Sequence, residues 1–309
     1  MTDADAAVTT TTAVVTWPAD EVVTLHRPAW YLRPGRLRCA VGGGLVALVL
    51  IVAVLAPLVA PAPPEAQDLV RRLTPPAWVA GGSAANLFGT DHLGRDILSR
   101  VLHGARVSVL VGLTTLVISG LIGTALGLVA GFYGARVDLV IMKLVEVFLT
   151  IPFVLLALVV MALFGQSLVI LIGVICLNRW IHYCRVIRNE VLSLRERDFV
   201  AGARALGGSH LRIVVRHILP NTVASLSVIS TFSLATIILI EASLSFLGLG
   251  VPPSIPTWGS MLNEARPYMN PSWWTSVFPG LAIFLTVLGV NLLGDGVRDA
   301  YDPRLRRSQ

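Results

Sequence analysis

Lysine is almost missing from this chain of 309 residues. Its one copy, Lys143, follows Met142, so the Gly-Lys-Ser/Thr end of a phosphate-cradling loop cannot be built and ATP hydrolysis by that route is excluded. His-Glu-x-x-His, Cys-x-x-Cys and Gly-x-Ser-x-Gly are absent too, which removes the common zinc, thiol-redox and serine-hydrolase constellations. Cysteine is scarce: Cys39, Cys176 and Cys184 all lie in or beside apolar runs. They imply no disulfide framework and read as small packing residues. Charge is scarcest of all. Only 14% of the residues are charged while 55% are hydrophobic, against about a quarter charged in a soluble domain. The length alone suggests roughly two soluble domains; the composition excludes them in favour of a polytopic membrane protein.

The long runs without Asp, Glu, Lys or Arg are 39–64, 107–135, 147–178, 217–240 and 267–294. A spanning helix needs about 20 apolar residues. The 147–178 run is too long for one helix, and Gly165-Gln166-Ser167 divides it. Six spans follow, near 40–60, 107–130, 140–164, 168–187, 222–244 and 276–296. The first is no cleavable signal, since its apolar run is too long and 38 residues precede it. With both ends inside, 18 of the 24 basic residues, Arg179, Arg185 and Arg188 among them, belong to inner segments and adjacent helix ends. Only Arg71, Arg72, Arg95, Arg100, Arg106 and Arg266 are outside. That asymmetry predicts cytoplasmic termini. It also accounts for the net charge of +6 without a nucleic-acid partner. Trp30/Tyr31, Trp180/Tyr183 and Trp273/Trp274 read as interfacial markers at span ends.

The chain therefore divides into a tail over 1–38, its first part disordered; a first span and outer segment over 39–106; a core over 107–297; and a tail over 298–309. Pro61-Ala62-Pro63-Pro64 stops the first span. Ile97, Leu98, Val101, Leu102 and Ala105 recur at helical spacing, predicting an interfacial amphipathic helix before the second span. Gly123, Gly127 and Gly131 form a small-residue face for close helix packing, within the chain or in a dimer. Pro152 predicts a kink in the third span. Lys143 and Glu146, three apart, can pair on one helical face. With Glu241 they are the ionisable residues within spans that a solute or ion pathway would use; a structural role is the alternative. His103, His182, His210 and His217 read as ordinary polar or interfacial residues.

The loop from about Arg188 to Asn221 carries most information. Asp198 reads as an N-cap, 199–206 as a short helix, and Gly207-Gly208 as its end. Ser209 is placed to cap a second helix, and Pro220 suits the first turn of the fifth span. A helix of about eight residues is marginal alone in water and must rest on something. Ala201, Gly202, Ala203 and Ala205 give it a smooth surface, suited to a groove on another protein, to its own domain or to anionic lipid.

This loop, DFVAGARALGGSHLRIVVRHILPN over 198–221, resembles the coupling-loop motif of ABC importer permeases: Glu-Ala-Ala, three residues, Gly, nine residues, a hydrophobic residue, any residue, Leu-Pro. Ala203 matches the last Ala, Gly207 the Gly, and Leu219-Pro220 the ending. Ala201 stands in place of the acidic residue, Gly202 in place of the first Ala, and His217 at the hydrophobic position. FGTDHLGRDILSRVLHGARVS (88–108), EASLSFLGLGVPPSIPTWGSML (241–262) and PGLAIFLTVLGVNLLGDGVRDAYDPRLR (279–306) resemble one branch, the C-type subunit of dipeptide/oligopeptide/nickel importer permeases.

The resemblance implies an all-α bundle of six transmembrane helices of the type I importer kind, with a cytoplasmic coupling helix. It implies a five-chain machine: this permease and a homologous permease forming a pore in the bilayer, two cytoplasmic ATPases, and an extracytoplasmic solute-binding protein. It makes the host a bacterium. ATP and magnesium would sit on the ATPases, and this chain would carry no cofactor. The residues that would dock an ATPase are Asp198, Phe199, Ala201, Gly202, Ala203, Arg204, Ala205, Leu206 and Gly207, with Leu219 and Pro220 closing the motif. The solute would be a di- or oligopeptide, with a nickel chelate, glutathione or haem as alternatives. The rival of another class is a stand-alone channel or secondary transporter.

Overall fold

The computed structural model describes residues 34–301, and within them the regular structure is helical. The calls on the tail before 34 and on 302–309, with Trp30/Tyr31, lie outside the described residues. α1 (Pro34–Val59), α2 (Ile97–Tyr133), α3 (Ala135–Thr150), α4 (Phe153–Phe164) and α5 (Leu168–Leu194) come first. The short α6 (Asp198–Ala205) and α7 (His210–Ile213) follow, then α8 (Leu219–Phe246), α9 (Trp258–Ala265) and α10 (Trp274–Tyr301). Five helical stretches are long and apolar enough to cross a membrane, and α3 with α4 makes a sixth crossing if the bent pair is one span.

Three span expectations need correction. The third span is broken rather than kinked: α3 and α4 meet at 83°. Pro152 lacks an N–H and keeps Ile151 extended (φ −86°, ψ 120°), so helix geometry stops there. The predicted interfacial helix is not separate. It is the first part of α2, which runs unbroken for 37 residues, about 55 Å at 1.5 Å per residue. Ile97, Arg100 and Ala105 are buried there under other parts of the chain instead of lying on lipid. The fifth span begins earlier than Pro220. α7, a π-helical turn over Val214–Ile218 and α8 join into one stretch, His210–Phe246. Pro220 falls in the first turn of its α-helical part, where its missing N–H matters least.

Gly123, Gly127 and Gly131 press α2 onto α5, against Trp180, Tyr183, Cys184, Ile187, Arg188 and Val191. Among the two readings of that stripe, the structure therefore uses it within the chain. Trp180 and Tyr183 are not interfacial: both are buried mid-helix, Trp180 edge-on to Phe148 and the Tyr183 hydroxyl 3.4 Å from Ser230 Oγ. α10 lies along α8 and α1; Gly42 and Gly289 bring the α1 and α10 backbones together, and Arg38 faces Asp299 at 4.0 Å. The start of α1 and the end of α10 thus share one side.

Candidate functional site

α5 ends and α8 begins at one end of the bundle, and α6 sits between them. α6 starts at Asp198 itself. Arg197, in extended conformation, is the N-cap, and no side chain caps the helix. Asp198 is not the cap; it lies in the first turn, where its charge suits the helix dipole. The C-terminus behaves as predicted. Gly207 has φ +78°. Its N–H donates to the Arg204 carbonyl (3.0 Å) and that of Gly208 to the Ala203 carbonyl (3.0 Å), the paired bonds of a Schellman motif. A side chain at Gly207 would meet nothing, so its constraint is conformational alone; one at Gly208 would collide with the Ala203 carbonyl.

One side of α6 anchors it. Val200 is buried among Leu128 and Phe132 of α2, Ile187 and Val191 of α5, and Ile213 and Ile218 of the following turns, with Ala203 packed beside them. That cluster answers how so short a helix persists. The other side is open: Ala201, Gly202, Arg204 and Ala205 are exposed, Phe199 is 44% exposed and Leu206 91%. Leu211 adds a further exposed apolar side chain. The open side is thus made of small residues flanked by exposed apolar ones. Nearby, Arg188 grips Asp138 at the start of α3 with both its Nε and Nη2, and Arg195 Nη1 donates to the Gly131 carbonyl at 3.0 Å. α6, α2, α3, α5 and α8 are thereby tied at one junction. Leu219 and Pro220 lie past the π-helical turn, on the stretch that carries this junction into the span.

The ionisable residues proposed for a pathway are not gathered into one cluster. Lys143 Nζ meets Glu146 Oε2 at 2.7 Å on an exposed face of α3. Glu241 is wholly buried; its carboxylate accepts from Ser108 Oγ (2.9 Å) and Ser245 Oγ (2.8 Å), a satisfied group between α2 and α8. Of the histidines, His103 Nδ1 lies 2.9 Å from the Ser99 carbonyl, and His210 packs edge-on to Phe132 and Tyr133.

The opposite end holds a network that sequence reasoning missed. Asp91 Oδ2 meets Arg95 Nε at 2.6 Å and Arg100 Nη1 at 2.5 Å, while Glu264 accepts from Arg95 and from Arg100 (2.7 Å). Burial raises the Asp91 pKa, but the Arg100 and Arg95 charges with the Arg95 and Leu93 backbone N–H groups outweigh it, and the carboxyl is held below its usual range. His92 brings a ligand atom within 4.8 Å of those two carboxylates, yet two guanidiniums already neutralise them, so the group is an ion-pair lock and not a cation site. The four-residue spacing of Asp91 and Arg95 is the one local signal the sequence carries for this network; Glu264 arrives from α9, which lay unpredicted in a Pro/Gly-rich loop. α9 is started by a reciprocal Thr257/Ser260 capping box, and its Trp258 indole donates to the Val101 carbonyl at 3.0 Å.

Five or six apolar spans in one helical bundle make this an integral membrane protein of the permease kind. Residues 123–307 match the family described as binding-protein-dependent transport system inner membrane component, and the chain belongs to that family: it is the membrane permease of an ABC importer. It is 46% identical over 268 residues to the di/tripeptide transport system permease protein DppC of Pseudomonas aeruginosa, covering 86% of this chain and 88% of that protein. It is 42% identical to the dipeptide transport system permease protein DppC of Escherichia coli K12 (90% and 93% covered) and 39% to that of Haemophilus influenzae (90% and 94%). A permease of this class implies ATPase and binding-protein partners and is not itself the enzyme. The stand-alone channel gives way to this reading.

Proposed function

We propose that the chain imports di- or oligopeptides, forming half of a pore with a homologous permease and receiving the ATPase stroke through α6. The substrate rests on one observation: the similarity to dipeptide and di/tripeptide permeases runs through 86–90% of the chain. The coupling role is supported by the form of α6, anchored on one side by Val200 and open on the other. In this reading both termini are cytoplasmic, α6 docks on one of the two ATPases that carry ATP and magnesium, and the α9 end receives a solute-binding protein from outside. The host is a bacterium. ATP-driven closure shifts the population between two packings of the bundle.

The test is the complete complex in proteoliposomes with its binding protein. ATP-dependent uptake of radiolabelled dialanine is expected. Uptake of a nickel chelate, glutathione or haem in its place, with no peptide uptake, overturns the substrate assignment.

A further inference from the structure

α5 presents a polar stripe where a spanning helix ordinarily meets lipid. Asn178, His182 and Arg185 follow one another at steps of four and three, one face of a helix. His182 and Arg185 are exposed and Asn178 half-buried. They lie 10 to 17 residues into α5, about 15–26 Å along it; a hydrocarbon core about 30 Å thick that starts near Leu168 would take in Asn178 and His182 and reach Arg185 close to its inner edge. Arg185 alone could reach an interface by snorkelling; Asn178 and His182 are too short. Polar groups at such depth face a water-filled cavity or other protein. Among the described residues, neither Arg179 nor Arg185 has a carboxylate partner, whereas Arg188, one turn on, is paired with Asp138.

Arg179 adds the second observation. It is 8% exposed, adjoins the stripe, and reaches only a hydroxyl, Ser233 Oγ, at 3.3 Å, with its Nε donor unpartnered. A buried guanidinium without an anion is costly unless an anion arrives. The faces around the stripe are already taken: α2 packs on Trp180, Tyr183 and Cys184, α3 on Trp180, and α8 on Arg179 and Tyr183. Among the described residues the polar Asn178–His182–Arg185 face is left open, flanked by the exposed Leu177 and Val186.

We infer that this face lines the aqueous passage, and that Arg185, with Arg179 behind it, receives the carboxylate of a peptide in transit. The inference rests on the peptide-importer reading above. The lone cations supply the charge complement, and Asn178 and His182 supply hydrogen-bonding groups that keep the passage wet. A free carboxylate bound by a guanidinium is a charge-assisted pair, strong enough to be read kinetically.

The experiment uses the full complex. In a Cys39→Ser background, where Cys176 and Cys184 are buried, His182→Cys and Asn178→Cys should react with a membrane-impermeant maleimide and be protected by dialanine during turnover. Arg185→Gln should lower the maximal uptake rate about tenfold, the scale of a lost charge-assisted hydrogen bond, with KM and binding-protein-stimulated ATPase activity unchanged. Arg185→Lys should recover most of the rate. Arg185→Glu should shift competition from Ala-Glu towards Ala-Lys. Unreactive cysteines mean a face covered by lipid or protein and overturn the inference. So does normal uptake by Arg185→Gln, or rescue of Arg185→Glu by reversing an acidic residue of the homologous permease, which would assign the anion to that chain. If the wild-type complex imports no peptide, the substrate reading falls and takes the carboxylate contact with it, while maleimide labelling reports separately on whether the face is wet.

Discussion

Gly207 is the residue on which α6 ends, and its left-handed backbone is a cost that only glycine avoids. A β-branched side chain at φ +78° is strained by roughly 1–2 kcal/mol, in open space, so Gly207→Val should displace the end of α6 while the spans stay packed. Insertion and pairing with the homologous permease should persist, measured by co-purification, while ATP-driven uptake falls at least tenfold. Full uptake with full ATPase coupling would show that α6 transmits nothing. At the other end, Asp91 is held ionised by Arg100 and Arg95. A carboxyl whose pKa is lowered on folding contributes stability above its unfolded value, 3.8, and loses it as pH falls through the folded one. Asp91→Asn leaves two buried guanidiniums short of an anion and should destabilise that end by about 3 kcal/mol. Thermal unfolding in detergent should show the deficit at pH 7 and a shrinking one below pH 3.8; a pH-independent gap refutes the ion-pair account.

At the scale of elements, α6 is a short helix that its own chain only half covers. Ala203 sits at the edge of the Val200 cluster, so Ala203→Arg forces a long charged side chain into the seam between α6 and its support. Uptake and the cross-link of α6 to the ATPase should both be lost while membrane fractionation still finds the permease in the bilayer. Lys143→Met removes only an exposed ion pair on α3, worth about 0–1 kcal/mol, and should leave that cross-link intact. The π-helical turn over Val214–Ile218 joins the α6 junction to α8 and marks an imperfect stretch in an otherwise continuous rod.

For the whole molecule, the arginine asymmetry and the contact of Arg38 with Asp299 agree that the start of α1 and the end of α10 share a side. Ser83→Cys should label from outside intact cells and Ser308→Cys only after permeabilisation; labelling of position 308 from outside inverts the topology. The apolar spans, the glycine face and the short helix over 198–205 with its Gly207 end were legible in the amino-acid order because each rests on local chemistry: runs without charge, four-residue spacing, a Gly pair after eight helix-forming residues. What needed the tertiary structure were facts that join distant segments. Glu264 meets Arg100 across 164 positions, Trp180 turns inward because α3 brings Phe148 to it, and α2 runs on through its polar start because α9 and the Asp91 network cover it there. No periodicity encodes such meetings, since burial of a charge is decided by what arrives to neutralise it. The same limit applies to the α5 stripe: Asn178, His182 and Arg185 are plain in the sequence, but only the packing of α2, α3 and α8 shows which face of α5 was left open.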